Sequence, residues 1–124
     1  MNGSFRVPRG LAGRLTGISI LIGNYAGRSD STLTVLIDDE DGAVAHGHKS
    51  LRRSADNALF RVDFSDGEIL LHGQERLRFC FRLEGANHPV ALWLYPLNRE
   101  WGHEIPGLED KALRVVLQVL EEEP

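Results

Sequence analysis

Rings and planar polar groups crowd into one stretch, Tyr95-Pro96-Leu97-Asn98-Arg99-Glu100-Trp101. A sugar site combines these two types: a flat ring covers the apolar C–H face of a pyranose, and amides, carboxylates or guanidinium groups take its hydroxyls. Trp93 just upstream, and Tyr25 with Asn24 and Arg28, repeat the combination. The candidate ligand-binding residues are therefore Tyr25, Arg28, Trp93, Tyr95, Asn98, Arg99 and Trp101. Packing is the competing reading, because small β domains use most of their rings in the core or at sheet edges. On that reading Trp93 and Tyr95 share a strand face, and at least one of them packs under the C-terminal segment.

Arg76, Arg78 and Arg82 fall on one side of an extended segment, with Arg61 as a neighbour. Guanidinium groups grip carboxylate and phosphate with two parallel hydrogen bonds, so such a row suits an anionic polysaccharide or a lipid-linked phosphate. The alternative is a solvated outer face balanced by the many acidic residues, where exposed pairs contribute little.

Other chemistry is thinner. His46-Gly47-His48 sets two imidazoles on one side of an extended chain, but no third ligand follows at a fixed spacing, so they read as surface histidines. Asp38 to Gly42 resembles part of a calcium loop; Ile37 stands in the first ligand place and no Glu closes the loop, which leaves a hairpin turn. Ser29, Ser31 and Ser65 have no nucleophile-elbow context, Cys80 sits mid-strand, and Gly10, Gly13 and Gly17 do not lead from a strand into a helix. The expectation is a protein with no catalytic and no metal-binding residues. A cupin-like enzyme with a metal on His46 and His48 ranks third among the readings.

The frame around these residues is small. The chain has 124 residues, 42% of them hydrophobic and 26% charged, which suits one domain over 1–124 with one core. One cysteine rules out an internal disulfide framework and a cysteine-rich zinc module. A formal net charge of −4 argues against nucleic acid as partner, since duplex binding uses a surplus of Lys and Arg. No apolar run approaches the roughly 20 residues of a membrane span, and the first nine residues lack the apolar stretch of a signal peptide. A cytoplasmic address is the expectation.

Alternation of apolar and polar residues dominates the chain, as in strands with one wet face. It is cleanest at Arg76 to Leu83, where Leu77, Phe79, Phe81 and Leu83 share one face and Arg76, Arg78, Cys80 and Arg82 the other. Ile18-Ile20-Ile22, Leu33-Val35-Ile37 and Phe60-Val62-Phe64 repeat it, with a hairpin at Asp38 to Gly42 and a return over Ala43 to His46. Leu113 to Leu120 fits both a helix and a strand period, and its three valines favour a strand. Ser50 to Asn57 offers the one short helix or helical turn. About seven or eight short strands with hardly any helix predict an all-β, antiparallel two-layer β-sandwich.

The series Leu15-Thr16-Gly17-Ile18-Ser19-Ile20, Asn24-Tyr25-Ala26-Gly27-Arg28, Leu33 to Asp38, Ala55-Asp56-Asn57, Phe60 to Phe64 and Ala91-Leu92-Trp93-Leu94 resembles a small β-sandwich module attached to bacterial surface-polysaccharide proteins. The resemblance runs over roughly residues 5 to 95, as a pattern rather than a diagnostic motif. It departs at the extra Ala26-Gly27 pair and in the stretch after Phe64. It implies a jelly-roll, carbohydrate-binding fold, a non-catalytic role beside polysaccharide synthesis, and a carbohydrate or glycosyltransferase-like protein as partner. It implies no cofactor, apart from the structural calcium that many sugar-binding sandwiches hold. The alternative is an interaction domain without a small ligand, which docks or forms a homo-oligomer through a sheet face or edge.

Overall fold

The computed structural model describes residues 1–24, 31–52, 54–85, 91–96, 102–108 and 111–120. Among them the chain is all-β, and every strand pairing is antiparallel. The strands are β1 (Asn2–Arg6), β2 (Gly13–Gly23), β3 (Thr32–Asp38), β4 (Val44–Ser50), β5 (Ala58–Asp63), β6 (Asp66–Gly67), β7 (Leu70–Leu71), β8 (Arg76–Glu84), β9 (Ala91–Leu92), β10 (Leu94–Pro96), β11 (Lys111–Leu113) and β12 (Val115–Leu120). Five of the twelve are only two or three residues long, which is why alternation in the sequence registers fewer.

Five strands form one sheet in the order β1-β8-β3-β4-β6. The second has β12-β2-β5 at its centre. Its β2 is long enough to take β5 and β7 along one side and β12 and β9 along the other. Leu15, Ile18, Ile20, Ile22, Phe60 and Val62 from this sheet meet Leu33, Val35, Ile37, Leu77, Phe79 and Phe81 from the first, all buried. These are the alternating residues of each strand, so burying one face drives the two layers together and leaves the other face to water. β10 and β11 make a separate two-stranded ribbon.

The C-terminal segment is a strand. Val115, Leu117 and Val119 pack against the core, and β12 pairs with β2 from Val115 opposite Ile20 to Leu120 opposite Arg14. A register shift between Gln118 and Val119 falls where β2 carries one extra residue, Thr16, whose Oγ1 donates to the Gln118 carbonyl at 3.1 Å.

Asp38 to Gly42 is a hairpin turn. Asp39 Oδ1 accepts from the Asp41 and Ala43 amides at 2.9 and 2.8 Å, so the carboxylate is spent on the turn itself. Of the two expectations for Ser50 to Asn57, the described residues form turns and no helix. β4 runs through Ser50, the Ser54 amide closes a turn onto the Leu51 carbonyl at 2.9 Å, and a further turn with Asn57 at φ 53° starts β5. Ser50 Oγ accepts from the Arg52 amide at 3.1 Å as a turn cap, and no apolar repeat of helical period follows it. No helix long and apolar enough to cross a membrane occurs among the described residues.

Candidate binding face

The outer face of the five-stranded sheet carries the arginine row. Strand alternation puts Leu77, Phe79 and Phe81 inside and Arg76, Arg78, Cys80 and Arg82 outside, so the row follows from the same pattern that builds the core. From Arg76 to Arg82 it extends about 20 Å along β8.

Register sets its neighbours. Arg6 of β1 stands opposite Arg76, Ser4 opposite Arg78, and Asn2 opposite Cys80. On the other side Asp38, Leu36 and Thr34 of β3 face Arg78, Cys80 and Arg82 in turn, and His46 and His48 of β4 lie one strand beyond. Arg78 Nη2 bonds Asp38 Oδ2 at 2.5 Å. Arg76 Nη1 donates to Ser4 Oγ at 3.0 Å and to the Gly102 carbonyl at 3.1 Å, with Glu104 3.7 Å away. Arg6 and Arg82 make no ion pair or side-chain hydrogen bond among the described residues, and both are exposed. The row is thus anchored at Arg76 and Arg78 and open at Arg82, with Arg6 open beside Arg76.

One end of the row opens into a cleft of about 620 Å³. Its walls include Ser4, Arg76 and Arg78 on the sheet and His103, Ile105 and Pro106 on a segment that runs beside β1. That segment is tied down by reciprocal backbone bonds between Ser4 and Glu104, both 2.8 Å. His103 tucks inward until its ring centroid is 5.4 Å from that of Phe5. Burial first, and the Arg76 guanidinium second, push its imidazole down from 6.5 to about 4, so it is neutral at neutral pH. The cleft therefore offers two guanidinium groups, the Glu104 carboxylate, a hydroxyl and apolar walls.

Among the expected ligand-binding residues, Trp93 follows β9 and stands 45% exposed, its amide donating to the Leu21 carbonyl at 3.3 Å. Tyr95 is described in its backbone, opposite Ala112 in the β10–β11 ribbon. Tyr25, Arg28, Asn98, Arg99 and Trp101 lie outside the described residues. The described residues flanking 25–30 are both fixed. Asn24 is fully buried, donates through Nδ2 to the Leu51 carbonyl at 3.1 Å and to Ser54 Oγ, and gives its amide to Asp56 Oδ1 at 2.7 Å. Ser31 Oγ donates to the Gly85 carbonyl at 3.1 Å.

Arg61 is not beside the row. It belongs to β5 of the other sheet and pairs with Asp63 at 2.7 Å. His46 and His48 share the outer face, with His46 Nε2 3.3 Å from Asp66, and no group of three metal-capable side chains occurs among the described residues. Ser4, His103 and Glu104 were not legible as site residues, because a bridge between residues about a hundred positions apart leaves no local signal. The chain matches no family model, no curated protein and no solved structure in the comparisons made.

Proposed function

We propose that this protein is a non-catalytic carbohydrate-binding module, and that its carbohydrate is acidic and lies along the arginine row of β8. One observation carries the reading: Arg82 presents an open guanidinium group at one end of the row and Arg6 another beside Arg76 at the other, while Arg76 and Arg78 are already oriented by Ser4, Gly102 and Asp38. Oriented guanidinium groups lose less freedom on meeting a carboxylate than mobile ones, and a 20 Å row engages several charges of one chain, each adding to affinity. The cleft beside Arg76 would seat one residue of that chain end-on. The pattern over residues 5 to 95 is what suggests an accessory role in surface-polysaccharide synthesis, and a glycosyltransferase-like protein as its companion.

Titrating acidic and neutral oligosaccharides of equal length by calorimetry tests this. Acidic chains bind, affinity falls as salt is raised, and Arg82→Ala weakens binding about tenfold with little change in stability. Equal affinity for neutral chains, accompanied by a Trp93 fluorescence shift, would transfer the site to the exposed ring and end the arginine reading.

A further inference from the structure

The edge strand β12 has one side bonded to β2 and the other side bonded to nothing among the described residues. The Leu21 amide donates to the Arg114 carbonyl at 3.3 Å and Thr16 bonds the Gln118 carbonyl, so the even-numbered residues turn their backbone groups toward β2. Antiparallel alternation then turns those of Val115, Leu117 and Val119 outward. Natural edge strands guard such a row with Lys, Pro or a bulge of their own, and 115–120, Val-Val-Leu-Gln-Val-Leu, has none of them. Val116 and Leu120 are 43% and 54% exposed on its outer face.

We propose that β12 pairs with β12 of a second copy of this chain, antiparallel and about a twofold axis at Gln118, joining two sheets into one. Three features select that occupant and that register. Twofold pairing keeps outer residues opposite outer residues, and centring it on Gln118 sets each exposed Val116 against the other copy's exposed Leu120. It turns the outward amides and carbonyls of Leu117 and Val119 toward each other. The charge order of the sequence is also self-complementary when antiparallel: Arg114 precedes the strand and Glu121, Glu122 and Glu123 follow it, so each copy brings its positive end to the other's negative end. A parallel pairing would stack acid on acid. Gln118 itself donates from Nε2 to Ser19 Oγ at 3.0 Å while its Oε1 is buried with no hydrogen-bond partner. A second Gln118 amide beside it supplies the donor once the side chain turns.

Six residues of edge make a small interface, so association is weak and concentration-dependent. Sedimentation of the full chain over about 10–500 µM should show a monomer–dimer equilibrium. Val116→Lys with Leu120→Lys, both on exposed positions, should weaken it roughly tenfold or more while leaving the unfolding midpoint near that of the parent. In a Cys80→Ser background, Gln118→Cys should form a disulfide-linked dimer under mild oxidation, because directly opposed residues of a non-hydrogen-bonded antiparallel pair approach to about 4.5 Å between Cα atoms. Adding the two lysines should suppress that cross-link. A monomer throughout the concentration range, a dimer indifferent to the lysines, or a cysteine variant that fails to cross-link would each overturn the proposal.

Discussion

Gly47 of β4 passes so close to Asp63 at the end of β5 that a Cβ on Gly47 would overlap the Asp63 carbonyl oxygen. This is where the chain changes sheets. After β5 the Phe64 amide bonds the Thr16 carbonyl in one layer, and the next amide, Ser65, bonds the His46 carbonyl in the other, both at 2.9 Å. A side chain at position 47 would hold the layers apart at their corner. The glycine between His46 and His48, which the sequence offers as a spacer between two imidazoles, is there because backbone has to meet backbone.

Gly47→Ala should therefore cost about 2 kcal/mol or more, read as a fall in the urea midpoint at unchanged slope. Gly42 gives the contrast. It sits at φ 88° in the hairpin turn with nothing within 4 Å of an added Cβ, so Gly42→Ala meets only the left-handed backbone penalty, about 1 kcal/mol. Equal costs at the two positions would mean that the corner relaxes freely.

Asn24 is the buried polar residue on which the loop after β4 hangs. Replacing it with Ala leaves the Leu51 carbonyl without the Nδ2 donor and should cost about 2–4 kcal/mol. Asn24→Asp should be no milder, since it points a carboxylate oxygen at that carbonyl. Paired denaturation curves of the two variants check this, and a benign Asn24→Asp would show that the loop is held by the Asp56 contact instead.

The layers were readable because they depend on periods of two. Leu77, Phe79 and Phe81 announce an inner face, and the arginines between them then have to face out. Leu113 to Leu120 was ambiguous for the complementary reason: Val115, Leu117 and Val119 satisfy a strand only once Ile20, Ile18 and Leu15, about a hundred residues earlier, lie alongside. The cleft was invisible on the same grounds. Nothing near His103 or Glu104 in the sequence foretells Ser4 as a partner. At Ser50 a turn and a helix start were indistinguishable in the sequence, since both use the same side-chain-to-backbone bond.

His103 makes stability depend on pH in a defined window. Its imidazole falls from 6.5 in the unfolded chain to about 4 when folded, through burial first and the charge of Arg76 second. Between those values the unfolded chain binds more protons, so the stabilising contribution is complete above about pH 6.5 and is lost as pH falls toward 4. The loss should be on the order of 2 kcal/mol, and His103→Phe, which cannot titrate and keeps a ring beside Phe5, should flatten that part of the profile. Urea midpoints from pH 7.5 to 4 for both proteins measure it. Parallel profiles would assign the acid sensitivity to groups other than His103.

Asp38 competes with any anion for Arg78. The pair is 2.5 Å long but the guanidinium is 70% exposed, so breaking it changes stability by less than about 1 kcal/mol. A ligand carboxylate arriving at Arg78 has to share that group with Asp38 or displace it. Asp38→Asn removes the competing charge while keeping an oxygen to orient the guanidinium, and should raise affinity for acidic oligosaccharides about two- to fivefold with a steeper salt dependence. Calorimetric titration of the variant at two salt concentrations measures both quantities. Unchanged affinity beside a retained response to Arg82→Ala would place the ligand on the far half of the row, around Thr34 and His48, and leave Arg78 as a purely structural partner of the β3 strand.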